Sequence, residues 1–533
     1  MLVSSRAGAL RLFSLLATFA TIGTTSLSAC SGGDDTNGDG THQVGDDDAG
    51  GDTLADGAPS SDSATPDNPD SGDPLGGYPT PIKHLIVIVK ENHTFDNIFG
   101  EYTGGGLTAV TTAKLSDGTT ITRPHCPAAG IPRDMPHDHT SALTAYADGK
   151  MNGLDNNKNT VEASGTTKKD YLAWCTFSDT NQVKFYWELA QNYTLADHFF
   201  TTMLAPSFPG HLSSAIGKSP AYGNPGCPAG ESSCESAVSS WGCTDAPGTT
   251  VLTWDIDTCT TKTSAFPCYD VPTWMDTIPT KYTWAVYGKG RKLTGKNPET
   301  NPESLDATGA PLILSPFNAV KKHSTVAERK AHFHEERQIV PQIIYTNKAS
   351  SSSGDAGLLP GLLPDLPNVM FWSDISSNSE HPPGTGGNPV SPECGEQDDY
   401  DIVTAVMSGQ HWKDTAILIT YDDWGGWYDH VAPKVDKCSN GLYYTAGFRV
   451  PAMIVSAYSK PGYVLHDVTE QASIPKLIEE LFGAPMTSAR DPQNRDGKAG
   501  SLMGAFDFTQ PPHAPVTLTR PVNAVCTNPT APQ

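Results

Sequence analysis

Basic residues are scarce in this chain. Its 533 residues carry 35 Lys and Arg against 59 Asp and Glu, a net charge of −24. Such an acidic balance argues against nucleic acid as a partner. Residues 31–77 lack Lys, Arg and Glu altogether and hold twelve Asp among Gly, Ser, Pro and Thr. Large apolar residues are nearly absent there, so burial cannot offset the entropy of ordering. The stretch reads as a disordered linker whose charges repel and extend it. Beyond the first thirty residues no apolar run approaches the ~20 residues needed to cross a bilayer. Paired CxxC arrays are also missing, which argues against a zinc site built on cysteine. No internal repeat is evident.

What is present begins with an export signal. Arg6 and Arg11 precede a mostly apolar or small stretch, Leu12 to Leu27, and Leu27-Ser28-Ala29-Cys30 follows. That tetrapeptide resembles a bacterial lipobox, whose cysteine is lipidated and becomes the first mature residue; ordinary secretory cleavage nearby is the alternative. The expectation is an exported protein, a bacterial cell-envelope lipoprotein held to the membrane through Cys30, or secreted if the anchor is lost. Three segments follow: a signal over 1–30, the acidic linker over 31–77, and a folded domain over 78–533. Ten cysteines remain besides Cys30, an even number that suggests disulfides in an exported chain. Five of them crowd into 227–268, so 218–275 reads as a disulfide-rich insertion.

The folded part is organised around Ile82 to Gly100. Leu85 to Val89 is a run of five apolar residues, the pattern of a strand buried on both faces, and Pro79 and Pro81 bar a helix from entering it. Thr415 to Tyr421 repeats the pattern. Further strands are expected around Thr108 to Leu115, Tyr282 to Tyr287, Val369 to Trp372 and Val450 to Tyr458. Helices are expected over Tyr186 to Gln191, Leu212 to Ile216, about 326–346, Asp398 to Ser408 and Ser473 to Phe482. Strands alternating with helices predict an α/β fold with a mostly parallel central sheet and helices on both faces.

Both strong strands end in acids: Glu91-Asn92 after the first, Asp422-Asp423 after the second. Ligands bind outside the carboxyl ends of parallel strands. Three carboxylates and an amide there would make an oxygen-rich site for a hard divalent cation, and without one the cluster would repel itself. Each pair also has a plainer reading, as a helix cap or a turn. Ser207 falls near a helix start, where a hydroxyl beside a cation can serve as a nucleophile or merely cap the helix. His137, His139, His211, His381 and His430 lie in polar, Gly- or Pro-flanked stretches and are candidates for contacting a phosphoryl group or protonating a leaving group. Trp424 and Trp427, beside the acids, could line a lipid-facing rim or belong to the core.

Taken together these stretches resemble the signatures of a bacterial phosphoesterase family that contains phosphatidylcholine-hydrolysing phospholipase C and an acid phosphatase. Glu91 to Asp96 is similar to its ENRSFD segment, and Thr420 to Val431 to its TWDExGGFYDHV. Asp134 to His137, Gly149 to Gly153, Glu380 to Pro383 and Gly447 to Pro451 resemble its DxxH, GKMDGF, EHPP and GxRVP. The resemblance spans about 82 to 483, in the family's order. It implies an alkaline-phosphatase-like sandwich, a divalent metal (Ca, Mg, Mn or Zn) held by Glu91, Asn92, Asp422 and Asp423, and a phosphoryl-enzyme formed on Ser207. His137 and His381 would contact the phosphoryl group or serve the leaving group, with His211 and His430 as further candidates. The substrate would be a phospholipid or a soluble phosphomonoester. The family's Arg-Ser after Glu-Asn is His93-Thr94 here, its Pro-Asn-Arg is Pro209-Gly210-His211, and its Asp-Glu is Asp422-Asp423. The rival reading is an inactive cell-surface binding protein that keeps the fold; the presence of Glu91, Ser207 and both aspartates speaks against it.

Overall fold

A computed structural model describes residues 78–522 apart from 163–165, 167, 179–181, 227–240, 256–259, 291–304, 307, 309, 349–364, 375–378, 384–388 and 438–442. The signal, Cys30 and the acidic linker lie outside the described residues. A nine-stranded mixed sheet forms the centre. In chain order its main strands are β1 (His84–Lys90), β2 (Thr194–Ala196), β3 (Trp284–Gly290), β4 (Phe333–Glu335), β5 (Val369–Ser373), β6 (Thr415–Tyr421), β7 (Ala452–Ser456) and β8 (Tyr463–Leu465). They lie in the order β4-β3-β5-β1-β6-β7-β2-β8, and Ile313–Leu314 pairs with β3. Every neighbouring pair on that path is parallel except the two that involve β7. The expected α/β architecture with a mostly parallel sheet is what the chain adopts.

Burial explains the apolar runs. All seven residues of β1 and all seven of β6 are buried, because both faces of a parallel sheet are covered. The helices flanking the sheet are α1 (Phe95–Phe99), α2 (His139–Tyr146), α3 (Lys184–Asn192), α4 (Ser207–Ile216), α5 (Val326–His332), α6 (Ile339–Lys348), α7 (Pro392–Met407) and α8 (Ser473–Phe482).

Three helices differ from expectation, and the one read from Leu212 already starts at Ser207. The helix read over 326–346 is broken by β4, where buried Phe333 pairs with Val286 of β3. A continuous helix would have placed Pro341 in its interior. The break puts Pro341 in the first turn of α6, where its missing N–H is no loss. The helix read from Asp398 starts six residues earlier, at Pro392, again with proline in its opening turn. Disulfides join Cys126 to Cys175 and Cys243 to Cys268, the second within the Cys-rich insertion. Cys394 is also disulfide-bonded.

In α8, Glu479 is 1% exposed, and its Oε1 accepts from the Thr487 backbone N–H and hydroxyl at 2.8 and 2.7 Å. Burial pushes its carboxyl pKa up to about 8. The folded state therefore keeps a proton that the unfolded chain releases near ~4.3, and stability falls as pH rises between the two values. Glu479→Gln keeps the acceptor and removes the penalty. Its urea midpoint is expected to exceed that of the parent by a margin that widens from about pH 5 to about pH 8. A constant margin would contradict this.

Candidate active site at the carboxyl edge of the sheet

The register of two strands builds the site. β1 and β6 pair residue for residue up to Lys90 and Tyr421, and the Asp422 N–H still donates to the Lys90 carbonyl at 2.9 Å. The next side chains on the two strands are Glu91 and Asp422, both buried. Helix α4 reaches this edge through Gly210, where a Cβ would come within 2.0 Å of the Asp422 carbonyl oxygen. Only glycine allows that approach. It sets Ser207 and His211, one helical turn apart, beside the acids. Ser207 Oγ donates to Asp423 Oδ2 at 3.1 Å. His211 Nε2 lies 3.3 Å from Glu91 Oε1 and 3.6 Å from Asp422 Oδ2. His211 thus stands among the carboxylates rather than with His137 and His381. One ligand atom each from Glu91, His211 and Asp422 fall within 4.8 Å of one another, a grouping that suits a divalent cation.

The electrostatics favour a cation there. Burial, then the Asp423 and Glu91 charges, push the Asp422 carboxyl well above its ordinary range. Burial raises Asp423 as well, against the opposing His137. The Asn92 amide gives a second indication. With its oxygen toward Asp422 two acceptors face each other, and its nitrogen lies 3.4 Å from His137 Nε2. With the amide turned, its nitrogen donates to Asp422 Oδ1 and Oδ2 at 2.8 and 3.0 Å, and its oxygen accepts from His381 Nε2 at 3.2 Å. The first arrangement is satisfied when a cation lies between the oxygens; the second serves without one.

His137 and His381 form the opposite wall, with ring centroids 5.8 Å apart. His137 Nδ1 donates to the Met135 carbonyl at 2.7 Å and His381 Nδ1 to the Pro382 carbonyl at 2.6 Å, so both turn Nε2 toward the site. Burial alone would lower the His137 pKa; Asp423 and Asp134 outweigh it and raise it. His139 points elsewhere, bonding the Leu204 carbonyl at 2.5 Å. A cavity of about 430 Å³ adjoins this wall, lined by Asp134, His137, Asp138, Pro206, Tyr222 and Leu252 among others.

Both tryptophans are core. Trp424 and Trp427 are 1% and 0% exposed, and their indole N–H groups donate to the His137 and Asn92 carbonyls at 3.1 and 3.0 Å. They lock the loops that carry those residues. Gly425, at φ +58°, packs against Asn92, where a Cβ would lie 2.2 Å from the carbonyl oxygen. His93, in place of the family's Arg, is fully buried, donates through Nδ1 to Asn97 Oδ1 at 2.6 Å, and burial lowers its pKa to about 4. It is a neutral packing residue. His430 is not brought to the cluster. Its Nδ1 lies 2.8 Å from Asp96 Oδ2, in a group with Asp429 and with Arg449, which donates to Asp96 at 2.7 Å and Asp429 at 3.2 Å.

Sequence reasoning missed the charged layer beneath the site. Lys90, fully buried, bonds Asp374 and lies 3.7 Å from Glu380 and 3.6 Å from Asp399. The Tyr186 hydroxyl lies 2.5 Å from Glu380 and 2.8 Å from Asp399, its single proton serving the pair, and Tyr421 donates to Glu380 at 2.8 Å. Burial opposes the Lys90 charge, but these carboxylates outweigh it and hold its pKa above the usual value. Burial raises Glu380 to about 8 and Asp399 to about 6. Glu380 also holds a left-handed backbone, φ +77°, immediately before His381. The signal in the sequence was a Lys inside an otherwise apolar strand end, which needs a buried partner.

A parallel sheet edge carrying buried acids, a hydroxyl at a helix start and two inward imidazoles defines an α/β protein with a divalent-metal site suited to ester chemistry. The chain belongs to the Phosphoesterase family, whose model matches residues 82–485. Phospholipase C A of Mycobacterium tuberculosis is 32% identical over 129 residues, which covers 21% of this chain and 24% of that protein. Non-specific phospholipase C3 of Arabidopsis thaliana is 29% identical over 185 residues, covering 30% and 33%. The chain thus spans about a quarter to a third of the curated relatives it matches. A solved protein in the alkaline phosphatase superfamily from Vibrio parahaemolyticus superposes with a TM-score of 0.31 at 10% identity, covering 79% of this chain and 72% of that one. A TM-score this low adds nothing to the sheet topology already described.

Replacing Lys90 with Met would leave three buried carboxylates without their ammonium. A loss of about 3–5 kcal/mol in urea unfolding is expected. Unchanged stability would mean that Lys90 carries no such charge in the fold.

Proposed function

We propose that the chain is a divalent-metal-dependent phosphoester hydrolase that works through Ser207. The observation that carries this reading is the Ser207 hydroxyl bonded to Asp423 at the start of α4, with Glu91, Asp422 and His211 grouped beside it. Glu91, Asp422, Asp423 and His211 would hold the cation, with Asn92 joining when its amide oxygen faces Asp422. The donor set is mostly oxygen with one imidazole, compatible with Mg, Mn, Ca or Zn. When bound, the cation neutralises the buried acids and polarises a phosphoryl oxygen.

The chain's own groups do the rest. Asp423 accepts the Ser207 proton as Oγ bonds phosphorus. The ester bond to the leaving oxygen breaks, and His137 or His381 donates a proton to that oxygen through Nε2. Water, giving a proton to the histidine, then attacks phosphorus; the phosphorus–Oγ bond breaks, phosphate departs, and Asp423 returns its proton to Ser207. The cavity beside His137 would take the alcohol portion. Its mixed lining, with Tyr222 and Leu252 facing Asp134 and Asp138, accommodates a lipid headgroup or a small phosphomonoester. The phospholipase C names of the relatives favour the phospholipid. Lipidation at Cys30 would hold the enzyme at a bacterial envelope membrane.

Three experiments test this. The purified protein should hydrolyse p-nitrophenyl phosphorylcholine or p-nitrophenyl phosphate, lose that activity to chelator and regain it with divalent metal. Ser207→Ala should lower kcat by at least about 1,000-fold with the fold intact. Full activity in that variant removes Ser207 from the mechanism, and no hydrolysis of either ester with added metals supports the inactive binding protein instead. A Cys30→Ser variant expressed in a bacterial host should leave the membrane fraction; if it stays there, the anchor lies elsewhere.

A further inference from the structure

A second group of metal-binding side chains lies on the same edge of the sheet, outside everything described above. β2 and β8 are parallel and in register, with Ala196 opposite Leu465. The next residues on the two strands are Asp197 and His466. The pairing continues past the strands, since the Asp197 N–H donates to the Leu465 carbonyl at 3.2 Å. His198 follows Asp197 directly. The single Asp197 carboxylate, 3% exposed, meets both imidazoles: Oδ1 lies 2.8 Å from His198 Nδ1, and Oδ2 lies 2.9 Å from His466 Nδ1. One ligand atom from each of the three falls within 4.8 Å of the others.

The backbone that carries them is held on both sides. The His198 carbonyl accepts from the Thr469 N–H at 2.9 Å, which closes the turn after β8 against it. The Asp197 carbonyl accepts from Arg449 Nη1 at 3.0 Å. Arg449 bonds Asp96 and Asp429 through its other nitrogens and its charge also reaches Asp197, whose two carboxylate oxygens bond the two imidazoles. Unlike the Glu91 cluster, this one is open. The His198 and His466 side chains are 35% and 64% exposed. Two imidazole nitrogens and one carboxylate oxygen with a free side toward solvent is the donor set of a three-ligand zinc site with an open fourth position. It is softer than the oxygen-rich Glu91 cluster, so it sorts cations differently.

We propose that Asp197, His198 and His466 form a second, solvent-open site for a borderline transition-metal dication, with zinc as the fitting ion. Bound there, the ion replaces two imidazole–carboxylate hydrogen bonds with coordination and ties the turn after β8 to the end of β2. The site stands two strands from Asp422, across β7, a lateral separation of about 10 Å. It is therefore independent of the Glu91 cluster in its ligands while sharing its edge.

The test uses the full chain, stripped with chelator and titrated with zinc by calorimetry. The parent, His466→Ala, His198→Ala and Glu91→Gln are compared. His466 and His198 are exposed enough that neither substitution opens the core. Each histidine variant is expected to bind about one equivalent less zinc than the parent, or to bind that equivalent at least about 10-fold more weakly. Glu91→Gln is expected to retain the equivalent that the histidine variants lose. If both histidine variants bind as much zinc as the parent with the same affinity, the site does not exist. If Glu91→Gln removes the same equivalent, the zinc belongs to the Glu91 cluster and the proposal is wrong. Neither result depends on whether the chain hydrolyses phosphoesters.

Discussion

The site depends on the pairing of β1 with β6. Lys90 opposite Tyr421 is the last rung, and everything reactive hangs from the residues just past it. Side chains alternate along a strand, so a slip of one residue would exchange the Glu91 and Lys90 directions and send the acid into the charged layer below. The register is protected by burial. Fourteen residues of the two strands are buried, and a slip would cost their packing on both neighbours at once.

Two layers of buried charge follow from that rung, and they are solved differently. Beneath it, Lys90 supplies a covalently attached cation to Asp374, Glu380 and Asp399, and the two tyrosines bond Glu380 and Asp399. Above it, Glu91, Asp422 and Asp423 are met by His211, the Ser207 hydroxyl and the backbone N–H groups of Asp423 and Gly425, with no Lys or Arg among their partners in the described residues. Like charges so close resist joint ionisation, which is why Asp422 and Asp423 are pushed upward. The lower layer carries its cation within the chain. The upper one would be completed by an ion from outside, which would make it a site rather than a scaffold.

Much of this could be read from the chain. The two apolar runs located β1 and β6 because doubly covered strands are apolar throughout. Their acidic ends located the cluster, and the helix read from Leu212, five residues past its true start, placed Ser207 near a helix start. What could not be read was pairing across long separations. Nothing local tells that His211 faces Glu91 while His430 faces Asp96, since both are histidines in polar, glycine-flanked stretches. Lys90 to Asp374 spans 284 residues, and Tyr186 to Asp399 spans 213. Trp424 and Trp427 looked ambiguous because indole suits a rim as well as a core; only their bonds to the His137 and Asn92 carbonyls decide it. The break before α6 was legible in Pro341 but was outweighed by the helical composition around it.

Ser207 and His211 share one rigid turn of α4, and Gly210 presses that turn onto Asp422. The hydroxyl and the ligand imidazole therefore move as one body with the strand ends. His137 and His381 are carried separately, on loops steadied by Trp424 and by the Glu380 layer. Adaptation to esters of different size thus has one direction available to it. In the proposed reaction the half of the cleft that would hold the phosphorus is fixed, and the half that would meet the departing alcohol is where divergence can accumulate without disturbing the chemistry.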